Sequence, residues 1–435
     1  MGMRRSFVAA GLAAALLIPV APAAAAAIVF GDVPAGSFAA RQIRTVAADN
    51  DWMRAFGTSA FKPDALETRA RFAVALVRAF DRFGTLIGPV TLKDVTDSRW
   101  DATAIRLVVE RGWMPAPGGT FNPNAALTKV QMDMALIRAL GLGDTAASLA
   151  QIKTADGYRF KVPYGFGEMV MASEMRFHAN HSQEWRELLP WSAPRRSDIA
   201  HALAAAAGAR DSWQIRSMKR YEGITLPAMD GNRRAVTEWA LAWVGTPYIY
   251  AGEWASGRTP SGFPFGAQPQ GGTDCSGFVW WVLRSKAKGF APPRAYNGWY
   301  LPDRSSAQMG GNTPRRLFST QLTPMDIILF DSDRSGGDWR TIDHAGLALG
   351  NGWMIHSSGG RGGVTISWMG DGFWRQAFYF GRRVIPGNDP PPPPPPTPTP
   401  DPTPTPDPTP TPDPTATPEP TATPEPAPTA SPSAA

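Results

Sequence analysis

Thr273-Asp274-Cys275-Ser276-Gly277-Phe278 runs straight into Val279-Trp280-Trp281-Val282-Leu283. A small, polar opening followed by an unbroken apolar run predicts a buried helix that starts at the cysteine. Its thiol would then sit at a helix N-terminus, where unpaired N–H groups and the helix dipole favour thiolate, the form that attacks carbonyl carbon. Cys275 is the one cysteine among 435 residues, so it has no partner for an internal disulfide. It is either an apolar filler or a reactive group, and its surroundings must decide.

Downstream, short apolar or alternating runs at 327–330, 345–349, 353–356, 364–367 and 377–384 are bounded by Gly, Asp and Asn. They read as neighbouring antiparallel strands. His344 follows Asp343 at the head of the second run and His356 closes the third. Asn351-Gly352 between them is a hairpin turn signal, so both imidazoles can reach one edge of the sheet. Nucleophilic catalysis needs such a set: a thiol, an imidazole that takes its proton, and a polar group that fixes the imidazole's tautomer. The roles fall to Cys275, His344 and His356 in that order. With the helical run at 236–244, these elements make an α+β domain over 233–386.

The N-terminal half has a different texture. Phe30-Gly31-Asp32-Val33 leads to Phe61-Lys62-Pro63-Asp64 and Thr68-Arg69; about sixty residues later Leu92-Lys93-Asp94-Val95 leads to Phe121-Asn122-Pro123-Asn124 and Thr128-Lys129. Trp52-Met53 and Trp113-Met114 occupy matching places between. A degraded third copy falls at 188–203, where Pro190 and Arg196 match Pro63 and Arg69. Repeats with helical patterns on both sides of a Gly/Pro loop predict an all-α repeat module over 28–208, joined to the second domain by a linker at 209–232.

Residues 1–27 carry Arg4 and Arg5, an apolar stretch and an alanine-rich end, the pattern of a secretory signal peptide. The apolar stretch is shorter than the roughly 20 residues a bilayer span needs, so no membrane span is expected in the mature form. Residues 387–435 are almost wholly Pro, Thr, Asp, Glu, Ala and Ser. That composition cannot bury a core and predicts a disordered, extended tail. The tail has six acidic and no basic residues, which leaves forty-one basic against thirty-one acidic side chains on the part between, a net of +10. Such a charge suits anionic wall polymers. No nucleic-acid motif accompanies it.

Two families are similar to these segments. Residues 233–386 resemble the NlpC/P60 family of papain-like cysteine peptidases in Gly245-Thr246-Pro247-Tyr248, Asp274-Cys275-Ser276-Gly277-Phe278, Leu322-Thr323-Pro324-Met325-Asp326-Ile327, Asp343-His344-Ala345-Gly346 and Met354-Ile355-His356. The resemblance implies helices packed on a small antiparallel sheet. It also implies hydrolysis of the γ-D-glutamyl to diamino-acid bond in peptidoglycan stem peptides, through an acyl-enzyme and with no metal or cofactor. Tyr248 would help polarise the carbonyl, and Asp274 and Ser276 would help hold the stem peptide. Two departures stand out: an insertion at 253–273, placed to reshape or cover the cleft, and Met325 where the family's turn has glycine. The repeats resemble S-layer homology repeats, which implies binding of anionic wall polysaccharide by Arg69, Lys129 and, in the third copy, Arg196, with Trp52 and Trp113 nearby. Secretion to the cell wall or surface follows. The alternatives are an N-acetylmuramoyl-L-alanine amidase using the same three residues, or a non-catalytic surface protein.

Overall fold

The structure is a computed structural model that describes residues 30–54, 59–210, 212–253, 271–283 and 301–385. The expected signal peptide, the tail at 387–435 and most of the 253–273 insertion lie outside them. No helix among the described residues is long and apolar enough to cross a membrane.

Three helices of the N-terminal half, Arg69–Phe80, Lys129–Ala139 and Arg196–Ala209, begin alike. A helix start leaves four N–H groups without intrahelical partners, and here the first two are taken by another copy of the repeat. Arg69 and Ala70 donate to the carbonyls of Ala125 and Pro123, Lys129 and Val130 to those of Ser192 and Pro190, and Arg196 and Ser197 to those of Ala65 and Pro63. The three copies therefore close a ring, and the degraded copy at 188–203 fills the third place. The Asp-Val opening has an equally local purpose. Asp32 accepts from the N–H groups of Phe61 and Lys62, and Asp94 accepts from those of Phe121 and Asn122, so each aspartate pins its own Phe-x-Pro loop.

The C-terminal half is a five-stranded antiparallel sheet. The two short strands β1 (Lys153–Thr154) and β2 (Thr225–Leu226) precede it and pair in parallel. Its own strands are β3 (Ile327–Phe330), β4 (His344–Gly350), β5 (Trp353–Ser358), β6 (Gly363–Trp368) and β7 (Phe378–Arg382), in the order β6-β5-β4-β3-β7. The strands fall where alternation placed them. Only β7 leaves the meander, crossing back to pair with β3. Asn351 (φ 51°) and Gly352 (φ 82°) form the tight turn between β4 and β5 with both central residues left-handed. Met325 holds φ 67° while fully buried, so the turn that glycine would make unstrained is kept by an apolar side chain instead.

The helix Cys275–Leu283 packs through Phe278, Val279 and Leu283 on Ala345, Leu347 and Ile355, in one core that also takes in Met169, Val170 and Ala172 of the repeat half. The stretch 209–232, expected as a linker, is built into this joint. Tyr221 is 1% exposed and donates to the carbonyl of Ile366 in β6, while Thr225–Leu226 pair with β1. The helix Phe166–Glu174, buried along its whole length, lies against β6, where Thr365 donates to the Val170 carbonyl and Ser173 donates to the Arg361 carbonyl.

Candidate active site

The helix Cys275–Leu283 is held at its first turn. Asp274 accepts from the Gly277 N–H at 2.5 Å and from the Ser276 hydroxyl at 3.2 Å, which caps the orphan donors of the helix start. Arg304 locks this cap from behind: its guanidinium donates to Asp274, to Ser276, to the Gly252 carbonyl and to the fully buried Glu253. Gly277 is required here, because a Cβ would lie 1.9 Å from the Gly252 carbonyl oxygen. Asp274 and Ser276 were expected to face the stem peptide. They are instead 9% and 5% exposed, with their polar atoms engaged by Arg304 and the helix, so they position Cys275.

The Cys275 thiol donates to the Asp343 carbonyl at 3.7 Å, which sets it against the strand end that carries His344. Burial and the neighbouring Asp274 carboxylate push the thiol up to about 12, and the N–H groups of Ala345 and Ser276 only partly oppose them. This corrects the expectation of a resting thiolate: desolvation of a buried thiol outweighs the helix terminus.

His344 and His356 meet at 2.7 Å through Nε2 of the first and Nδ1 of the second. Both rings pack on Trp374, with centroids 5.1 and 4.9 Å from it. They share the side of the sheet that carries Trp374 and Met354, whereas Ala345 and Leu347 lie under the helix Cys275–Leu283. The thiol thus approaches the end of β4 rather than its face. Gly346 makes room for the pair, since a Cβ there would sit 3.1 Å from that of His356. Burial lowers His344 to about 4; burial, then His344 and Arg361, hold His356 well below the usual imidazole range. Burial thus favours the neutral form of the thiol and of both imidazoles. His344 Nδ1 has no hydrogen-bond partner among the described residues, while His356 Nε2 meets the Ser367 hydroxyl at 2.8 Å.

Tyr248 is half-buried and its hydroxyl is raised above its ordinary value by burial and by Cys275, so it stays a donor. It opens onto a cleft of about 740 Å³ lined also by Asn180, Ser182, Glu184, Trp185 and Tyr250. Glu184 accepts from the Tyr250 N–H at 2.8 Å. One wall of the cleft therefore comes from the repeat half, which no sequence signal announced. Arg304, Trp374 and Ser367 were also missed; only their packing singles them out.

The expected wall-binding cations are not at the surface. Arg69 is 6% exposed and donates to the carbonyls of Phe121 and Pro115 while lying 4.6 Å over the Phe121 ring. Arg196 is 1% exposed, lies 4.4 Å over Phe61, and binds the Phe61 and Arg54 carbonyls and the Glu67 carboxylate. Lys129 is 5% exposed and pairs with the buried Asp133. These cations tie each helix start to the Phe-x-Pro loop or the core, which is why they recur at that spacing. Trp113 packs edge-on to Phe80. Trp52 is the exception, lining a groove of about 250 Å³ with Arg54, Arg71 and Trp100.

Residues 245–383 match the NlpC/P60 family. A "Probable endopeptidase" of Mycobacterium tuberculosis is 35% identical over 128 residues, 29% of this chain and 24% of that protein. The gamma-DL-glutamyl hydrolase of Bacillus subtilis is 25% identical over 159 residues, 36% of this chain and 31% of its own length. An Escherichia coli protein named murein DD-endopeptidase and murein LD-carboxypeptidase is 29% identical over 123 residues, 28% of this chain and 55% of its own. The matches span between a quarter and about half of these relatives. Among solved structures, the peptidoglycan hydrolase RipB of Mycobacterium tuberculosis is 24% identical, covering 38% of this chain and 75% of that one, with a TM-score of 0.26. With its helix, its antiparallel sheet and its match at 245–383, the C-terminal region of this chain is an NlpC/P60 family domain.

Proposed function

We propose that this chain is an exported peptidoglycan hydrolase that cuts stem-peptide amide bonds, at the γ-D-glutamyl to diamino-acid linkage, with Cys275 as nucleophile, His344 as base and His356 as its orienting partner. The observation that carries the reading is a buried thiol held at the Asp343 carbonyl, next in the chain to His344, whose Nε2 is engaged by a second imidazole. His344 Nδ1 takes the thiol proton as Sγ forms a bond to the carbonyl carbon. N–H groups at the start of the Cys275–Leu283 helix and the Tyr248 hydroxyl would receive the oxyanion. Collapse breaks the C–N bond, the imidazolium returns its proton to the leaving amine, and a thioester remains. Water, deprotonated by His344, then cleaves the thioester and restores the thiol. The relatives' names as endopeptidases and glutamyl hydrolase support the substrate class.

Mass spectrometry of muropeptides digested by the full chain tests this: a free diamino-acid amine paired with a terminal γ-D-glutamate is expected, and none with Cys275→Ala. Release of intact stems from the glycan would make the enzyme an amidase instead. No cleavage product at all would overturn the enzymatic reading.

The repeat half is proposed to hold the enzyme at anionic wall polysaccharide, as the S-layer homology resemblance implies. Its contact face is then the groove of Trp52, Arg54, Arg71 and Trp100, whose lining includes Arg196, rather than Arg69 or Lys129. Sedimentation of the Cys275→Ala chain with purified walls should show binding that weakens with salt and falls for Arg54→Ala and Arg71→Ala. A chain that stays in the supernatant at low salt defeats it.

A further inference from the structure

We infer that Glu174, on the repeat-half helix Phe166–Glu174, is a positioning residue that sets the tautomers of both active-site histidines through Ser367. The effect on rate rests on the proposed roles of Cys275 and His344; the tautomers themselves do not. Four groups stand in line: the Ser367 hydroxyl is 2.6 Å from a Glu174 carboxyl oxygen, His356 Nε2 is 2.8 Å from Ser367 Oγ, and His344 Nε2 is 2.7 Å from His356 Nδ1. Glu174, His356 and Ser367 are 7%, 0% and 0% exposed.

Counting protons gives the line a direction. A carboxylate only accepts, and a serine hydroxyl has one hydrogen to give. Spent on Glu174, that hydrogen leaves Oγ able only to accept, so His356 must carry its proton on Nε2. His356 Nδ1 is then bare and accepts from His344 Nε2–H. The remaining nitrogen of His344, Nδ1, is left bare as well, and this is the atom that must take the thiol proton. Reversing the first bond reverses all of them and puts a hydrogen on His344 Nδ1, where it blocks the base. The carboxylate therefore has to stay ionised inside the core. Burial raises the carboxyl's pKa; Arg361, its guanidinium 3.5 Å from the second carboxyl oxygen and also donating to the Glu174 carbonyl, favours the ionised form, as do the Ser367 and Tyr221 hydroxyls. The repeat half thus supplies part of the catalytic apparatus, not only a tether.

The test is nitrogen-15 NMR of histidine-labelled full chain near neutral pH, with His344 and His356 assigned by substitution. Both rings are expected as the Nε2–H tautomer. In Glu174→Gln the amide turns its oxygen to Arg361 and its N–H groups to Ser367, so His356 should shift to Nδ1–H. kcat/KM should then fall at least tenfold, carried by kcat, and iodoacetamide should alkylate Cys275, the chain's one cysteine, more slowly. Ser367→Ala should act in the same direction, and the double variant should lose no more than the worse single one, because both break one line. A wild-type His356 protonated on Nδ1, additive losses, or unchanged tautomers and kcat/KM in both variants would overturn the inference. If Ser367→Ala does not fold, the near-isosteric Glu174→Gln and the wild-type spectrum decide. Tautomers and alkylation that respond as expected in a chain that leaves muropeptides intact would sink the substrate assignment and leave the relay standing.

Discussion

Two sets of side chains, one in each half, look alike in the sequence: polar or charged residues at regular spacing beside helix starts and strand ends. In the repeat half, Arg69, Lys129 and Arg196 are buried with their donors engaged by backbone carbonyls and carboxylates. In the C-terminal half, Cys275 and His344 are also largely buried, but the chain of contacts through His356 and Ser367 ends on an imidazole nitrogen that the described residues leave open. A recurring cation that is buried and bonded to carbonyls or a carboxylate is part of the fold's wiring. A polar line with one reactive atom unspent is a site.

The sharpest way to break that distinction is to substitute the unspent atoms. Cys275→Ala should abolish turnover, and His344→Ala should cost at least about 10²- to 10⁴-fold, the range of a general base. His356→Asn, which keeps a hydrogen-bonding side chain, should lose less than His356→Ala. The measurement is kcat/KM on a defined stem peptide, with circular dichroism to show that each variant folds. A His356→Ala enzyme as active as the wild type would remove His356 from the mechanism.

Substituting the engaged cations should do the reverse. Arg196→Ala removes a buried partner of Glu67 and three hydrogen bonds, and loss of one member of a buried pair costs about 3–5 kcal/mol. Urea denaturation should show a loss of that order. Lost wall binding at unchanged stability would restore Arg196 to the surface role the sequence suggests.

A smaller effect separates the two sets by pH. With His344 lowered to about 4 from an ordinary 6.5, kcat/KM should hold through pH 5 and fall only as pH drops through about 4. The unfolded chain binds this proton first, so stability is unaffected above about 6.5 and is lost between there and about 4. One such group contributes on the order of 3 kcal/mol across that window, and His356, displaced in the same direction, adds to it. An acid limb near 6.5 would show that the imidazole is solvated rather than packed on Trp374.

Alternation and turn signals determined the strands of the sheet and the Asn351-Gly352 hairpin, because backbone pattern and left-handed turn residues act over a few positions. The 273–283 stretch determined its helix for the same local reason, and the repeat spacing marked three equivalent helix starts. What lay beyond local reading was which polar atoms are left over. Asp274 and Ser276 became a cap held by Arg304, thirty residues away, and the repeated cations turned inward, Arg69 and Arg196 to carbonyls of another copy and Lys129 to Asp133. Nor could spacing show that Glu174 reaches Ser367 across 193 positions, or that desolvation outweighs a helix terminus at Cys275. Burial and hydrogen-bond satisfaction are properties of a packed interior, and only the tertiary structure assigns them.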